Sequence, residues 1–431
     1  MKMSNFYVAL AHTDTVAYFD SQVSPNRIRV SNLNLFPDSL KENLLFSMSF
    51  DSKIHYESWS SSLDGVGNSD QLGKEDSLPK RIFADCGAFQ FRELPRPLLD
   101  GVELDFNVAW NYYEKKHVKA NHRWNEILLC SPDHIITPDM NDDDSASRFE
   151  FIEENAAPFL EKCKSDSRIY AVGVIHGRTT NERKKQYEMF KSLGYEYVAL
   201  GGMVPYSTKQ NQVLDIVAGI KDTENPIIES DSILGKCRKD GIKLHVFGLN
   251  SPEWVRWWHR LRLDSFDGSK LSTEGAANGW YYMPNDGKGA GREMPTQPKK
   301  VGALYQRIAV KKMGSDKWEW KNENGLLKPI VPLTEKGVDT NCDCPACQYL
   351  KSSRCTSERC WFRKENLEHH HVADPRMMGS TEHNMGRVGH NAFVFSWIIE
   401  QIKRLNKLAD ESEITEENSW LLNWNTIEGE L

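Results

Sequence analysis

The chain has 431 residues, 39% hydrophobic and 27% charged, and a formal net charge of −7. That length exceeds one ordinary core, so a large domain with an accessory region is expected. The acidic balance excludes a uniformly basic nucleic-acid coat, although a local basic groove remains compatible with it. No run of about 18 apolar residues is present to span a bilayer. The amino terminus MKMSNFYVALAHTD turns polar too early for a signal peptide, so a cytoplasmic protein with no membrane partner is expected.

In chain order, residues 51–80 are polar and dotted with glycine and read as a long loop. Six short apolar runs follow, each ending in polar or glycine residues: RIFADCG from 81, DHIITPDM from 133, IYAVGVIHG from 169, YVALGGM from 197, KLHVFGLN from 243 and LDSFDGS from 263. Helical patterns separate most of them, as in TTNERKKQYEMFKSLG and PEWVRWWHRLR. Strands alternating with helices predict parallel pairing. Polar residues repeated at the carboxyl ends of the strands favour a (β/α)8 barrel, the fold that collects its functional groups there.

Residues 278–300 carry NDGKGAGRE and read as a second flexible excursion, so long loops are expected near 51–80 and 278–330. From 298 to 328 the chain is basic and aromatic. It reads either as a solvated face with packed tryptophans or as a phosphate-tracking surface. Trp254, Trp257 and Trp258, interleaved with Arg256, Arg260 and Arg262, invite the same two readings, with helix packing favoured for the tryptophans. Residues 391–407 read as an amphipathic terminal helix.

Nine cysteines, an odd number, are scattered at four positions and then crowded at 342, 344, 347, 355 and 360, which is no disulfide framework. Cys342, Cys344 and Cys347 form C-x-C-x-x-C, a spacing at which one tight turn aims three thiolates at a single ion. Structural zinc takes four tetrahedral ligands, so a fourth is needed. Cys355, Cys360, His369, His370, His371, His383 and His390 are all downstream candidates.

Together these pieces resemble the tRNA-guanine transglycosylases, barrel enzymes that exchange a guanine base for a 7-deazaguanine. The family's Asp-Ser-Gly-Gly-Phe-Gln segment resembles Asp85-Cys86-Gly87-Ala88-Phe89-Gln90, and its Phe-Asp-Glu-Cys resembles Thr137-Pro138-Asp139-Met140 in the aspartate alone. Its Val-Gln-Gly-Gly strand end resembles Val174-Ile175-His176-Gly177, with histidine in place of glutamine. Gly201-Gly202-Met203, Asp264-Ser265-Phe266-Asp267, the cysteine motif and a late His390-Asn391 opening a helix complete the series in order.

The resemblance implies a (β/α)8 barrel over 1–340 and a zinc-binding subdomain with a terminal helix over 341–431. Zinc would be held by Cys342, Cys344, Cys347 and His390, with His383 competing for the last place. Asp267 would be the nucleophile and Asp264 structural. Asp85 would protonate the departing guanine and deprotonate the incoming base, following the logic of retaining glycosidases. Asp139 suits the guanine edge. His176, Gly201, Gly202, Phe89 and Gln90 would line the base site. Cys86 occupies a family serine position and is not expected to act as a nucleophile.

Where the tRNA enzymes carry base-reading arginines after the nucleophile, this chain has Ala276-Ala277-Asn278-Gly279. That departure points to the related DNA-guanine transglycosylases of 7-deazapurine DNA-modification systems. DNA would be the polymer, with its guanosine flipped or single-stranded. The second substrate would be 7-cyano-7-deazaguanine, and proteins of the same modification system would be the partners. A tRNA enzyme with altered readout and a non-catalytic zinc-containing nucleic-acid-binding subunit are the competing readings.

Overall fold

The computed structural model describes residues 4–10, 36–48, 80–119, 124–272, 274, 280–284, 297–313, 317–322, 344, 346 and 381–429. The expected loop at 51–80 therefore lies almost wholly outside the described residues, as does a domain boundary near 340.

Eight strands close a parallel barrel in chain order. They are β1 (Asn5–Leu10), β2 (Asn43–Ser47), β3 (Arg81–Asp85), β4 (Glu126–Cys130), β5 (Ile169–Ile175), β6 (Tyr197–Leu200), β7 (Lys243–Val246) and β8 (Ser265–Gly268). β8 closes the ring on β1, with Tyr7 in register with Asp267. The fold is a (β/α)8 barrel. Parity along each strand separates two cores. Tyr7, Leu45, Phe83, Leu128, Cys130, Val172, Val174, Tyr197 and Ala199 fill the interior. Their neighbours Phe6, Leu44, Ile82, Ala84, Ile127, Leu129, Ile175, Leu244, Val246 and Phe266 face the outer helices.

The helices start and stop where local chemistry dictates. In α1 (Phe106–Tyr113) the carboxylate of Asp105 accepts from the amides of Asn107 and Val108. α2 (Asp142–Cys163) is capped by Asn141 and opens on three aspartates, which complement the helix dipole. α3 (Thr180–Leu193) begins with a full capping box between Thr179 and Glu182 and ends at Gly194, whose φ of +94° suits glycine. α4 (Gln210–Ala218), α5 (Ile233–Asp240) and α6 (Pro252–Arg260) follow in the ring.

Three expectations need amendment, and on α6 the choice between two readings is decided. The run DHIITPDM is not a strand: β4 ends at Cys130, because Pro132 has no N–H to continue the ladder, and Ile135 and Ile136 are buried under a loop. The span 278–330 contains a three-stranded antiparallel sheet, β9 (Trp280–Pro284), β10 (Tyr305–Met313) and β11 (Lys317–Asn322), whose aromatic and β-branched residues favour strands over the loop expected from the glycines. His390 and Asn391 do not open a helix; they lie inside α7 (Thr381–Glu411). On α6, Trp254, Trp257 and Trp258 are buried, and Arg256 and Arg260 are buried too, donating to the carbonyls of Asn423, Asn425 and Leu422. Those two arginines pin the carboxyl-terminal segment and do not face a phosphate.

α7 shares the outer core: the Phe395 ring lies 5.2 Å from that of Phe6, edge to face. Among the described residues no helix is long and apolar enough to cross a membrane.

Candidate functional site

Inward parity places Asp85, His176, Gly201, His245 and Asp267 at the carboxyl ends of β3, β5, β6, β7 and β8, around one mouth of the barrel. Asp85 continues the inward column of Phe83 and keeps part of its surface open. Burial, followed by the nearby Asp133 charge, pushes its carboxyl up to about 7, while bonds from the Gly87 amide and the Ser47 hydroxyl act in the opposite direction. Asp267 also contributes to the rise, so the two carboxylates lie within electrostatic reach of each other. A carboxyl poised near neutrality can both give and take a proton.

Asp267 is 5% exposed. Its Oδ1 accepts from the Gly248 amide at 2.8 Å and lies 3.2 Å from His245 Nε2. Asp264 sits three residues earlier, just before β8 begins, where its Oδ2 accepts from the Leu244 amide at 3.0 Å. It is committed to tying β7 to β8.

Asp133, which carried no expectation, proves central. Pro132 stops β4 and the following loop returns Asp133 beneath the mouth, 3% exposed. Its Oδ1 accepts from the Cys86 thiol at 2.6 Å and its Oδ2 pairs with His176 Nε2 at 2.6 Å. Burial, reinforced by Asp133, holds the Cys86 thiol well above its usual range, so Cys86 is a protonated donor and not a thiolate nucleophile. Buried Arg148 binds the loops after β3 and β4 together by donating to the carbonyls of Ile135, Arg92 and Leu94. Sequence reasoning named Asp139 in this run, by motif position, and passed over Asp133.

Asp139 lies in the exposed turn after this loop, where the Thr137 hydroxyl holds its carboxyl below the usual range. It is not drawn into the buried cluster. Gly201 is close-packed for a reason internal to the protein: a Cβ there would overlap the His176 ring. Its N–H and carbonyl are engaged with Ile175 and Arg183. Gly202 adopts φ +65°, the left-handed region that favours glycine. Phe89 is 50% exposed, with the Arg92 guanidinium 4.4 Å above its ring, and Gln90 beside it is exposed.

Among the described residues, one cluster and one separate pair of side chains have spacings compatible with a metal. Asp85, Cys86 and Asp133 present ligand atoms all within 4.8 Å of one another. The predicted zinc ligands lie elsewhere. Cys344 and His390 are buried, with Sγ 3.6 Å from Nδ1. Tetrahedral geometry with Zn–S of about 2.3 Å and Zn–N of about 2.0–2.1 Å separates a thiolate from an imidazole nitrogen by about 3.6 Å. The other ring nitrogen, Nε2, lies 3.0 Å from the Tyr282 carbonyl, a bond that would leave the Nδ1 lone pair toward sulfur. Asn391 accepts from the Tyr282 amide, so the His-Asn pair clamps β9. These residues fit zinc. Cys342, Cys347 and the His383 side chain lie outside the described residues, as do Cys355, Cys360, His369, His370, His371 and 275–279.

Fold and site define a (β/α)8 barrel with an acidic, histidine-lined carboxyl-terminal mouth. Over 112 residues the chain is 30% identical to the DNA-guanine transglycosylase of Salmonella montevideo, a stretch covering 26% of this chain and 23% of that protein. No family model matches the chain.

Proposed function

We propose that this protein is a guanine transglycosylase acting on DNA, replacing guanine with a 7-deazaguanine base through a covalent aspartyl–glycosyl intermediate. The observation that carries the reading is the pair of carboxylates at one barrel mouth, with Asp85 raised to about 7 partly by Asp267. Asp267 attacks the sugar C1′ as the C1′–N9 bond breaks, and the bond's electron pair leaves with guanine, which takes its proton from Asp85. The incoming base then loses its N9 proton to the Asp85 carboxylate and attacks C1′, and Asp267 departs with its electron pair. Atoms and charge return to the start, so no external energy source is required.

Asp133, held by Cys86 and His176, shapes the base site floor and supplies the charge that helps keep Asp85 basic. Phe89 with Arg92 offers a stacking face at the rim. Asp139, His176, Gly202 and Gln90 complete the base site, and Gly201 provides space for the His176 ring. Zinc, held by Cys342, Cys344, Cys347 and His390, would be structural, joining the residue 340s to α7. DNA is favoured by the similarity to the Salmonella protein and by the alanines at 276 and 277 in place of base-reading arginines. The incoming base is read as 7-cyano-7-deazaguanine, the setting as cytoplasmic, and the partners as proteins of a DNA-modification system.

The test supplies labelled guanine or 7-cyano-7-deazaguanine with single-stranded DNA, duplex DNA or bulk tRNA, to the protein alone and with the proteins that co-purify with it. Label should enter DNA. Label in tRNA alone establishes the tRNA reading, and label in neither establishes a binding subunit.

A further inference from the structure

His245 belongs to no motif that pointed to the site, yet it is the side chain that grips Asp267. It lies on β7 with no solvent exposure, packed against Phe83 at 4.4 Å and Phe247 at 4.6 Å between ring centroids. Its Nε2 is 3.2 Å from Asp267 Oδ1, and its Nδ1 is 2.8 Å from Ser265 Oγ. Ser265 Oγ in turn is 2.6 Å from the Tyr197 hydroxyl. All four residues project into the barrel, on β6, β7 and β8.

With Asp267 ionised and the His245 ring neutral, one arrangement of protons satisfies this chain. The carboxylate needs a donor, so Nε2 carries the hydrogen and Nδ1 becomes an acceptor. Ser265 must then donate to Nδ1, and its oxygen accepts from Tyr197. Two shifts keep these groups in the protonation states that this arrangement needs. Burial lowers the basicity of His245 and keeps it neutral, and burial holds the Tyr197 phenol far above its usual range, so it remains a donor. The Gly248 amide reaches the same oxygen, Oδ1, from the turn after β7, where φ is +76°.

We propose that His245, oriented by Ser265 and Tyr197, is a positioning residue that fixes the nucleophilic carboxylate by Oδ1 and presents Oδ2 to the sugar C1′. The inference rests on the reading of Asp267 as the nucleophile. A neutral imidazole suits this role better than a cation, because a full positive charge would neutralise the carboxylate and blunt its attack. The ring takes no proton during the cycle: Oδ1 keeps both donors while Oδ2 forms and breaks the ester bond. What the chain supplies is orientation, and misplacing a reacting group by about 1 Å can cost about 100-fold in rate.

The experiment has a substrate-free arm and a kinetic arm, both on the full chain. With ¹⁵N-labelled histidine, the His245 ring, assigned by its loss in His245→Gln, should appear as the neutral Nε2–H tautomer at pH 7. An Nδ1–H tautomer or an imidazolium at pH 7 overturns the proposal. For kinetics, a single-stranded deoxyguanosine oligonucleotide is mixed with excess enzyme, and covalent adduct formation is followed on denaturing gels. His245→Leu should slow the adduct by about 100-fold with oligonucleotide affinity within about twofold. His245→Gln, whose amide replaces the Nε2 donor, should recover most of that loss, and Ser265→Ala should fall between them. A purely structural role would lower the melting temperatures of the Leu and Gln variants and their rates together, with no rescue by Gln, and would refute the assignment. Absence of adduct from the wild type defeats the reading of Asp267, and the tautomer then decides the relay by itself.

Discussion

Asp85→Asn should make the protein more stable, and increasingly so as pH rises. The native carboxyl titrates at about 7, against 3.8 for the ordinary group. A carboxyl raised in the folded state binds its proton more tightly there, so stability is fully present below the unfolded value and is lost as pH rises through the folded one. At 1.36 kcal/mol per unit, the penalty approaches about 4 kcal/mol above pH 7. Between pH 5 and pH 8 it grows by about 2–3 kcal/mol. Asparagine is uncharged and its carbonyl still accepts from the Gly87 amide and the Ser47 hydroxyl, so it mimics the protonated acid. For 431 residues the unfolding entropy is about 0.9 kcal/mol per kelvin, so the melting temperature of the variant relative to wild type should rise by about 3 °C from pH 5 to pH 8. Differential scanning calorimetry at both pH values reads this directly. A difference between the two proteins that is the same at pH 5 and pH 8 would refute the reasoning, because it would mean that Asp85 titrates normally.

Two further outcomes follow from packing and ligation. Gly201→Ala forces a methyl into the His176 ring and should cost about 1–3 kcal/mol, seen as a lowered denaturation midpoint. Disturbing His176 should also weaken base exchange, and a variant of wild-type stability and activity would show that the ring moves freely. Purified protein should contain one zinc per chain by elemental analysis, with Cys344→Ser and His390→Ala each lowering both zinc content and melting temperature. Zinc retained at wild-type level by both variants would place the ion elsewhere.

Five of the eight barrel strands, β3 and β5 to β8, were legible, because short apolar runs such as RIFAD and SFDG deliver a polar residue at the carboxyl end. β1, β2 and β4 were not, since NFYVAL, NLLFS and EILLC end in nothing that announces chemistry. The loop through Asp133 was misread as a strand because buried Ile135 and Ile136 imitate one, and only Pro132 betrays the break. At the site, Asp85 and Asp267 could be named from motif positions, whereas their partners could not. Asp133 reaches the cluster through a loop closure that spacing does not encode. His245 hides inside the apolar run KLHV, and its one signal is parity, two residues before inward-facing Phe247.

The central claim is that Asp267 carries the sugar. The most direct measurement incubates the protein with a single-stranded deoxyguanosine oligonucleotide and no incoming base, quenches with denaturant and maps the linked peptide by mass spectrometry. The account predicts an adduct on Asp267 that Asp267→Ala abolishes and Asp264→Ala retains. An adduct on Asp85 or Asp264, or one that survives Asp267→Ala, would contradict it.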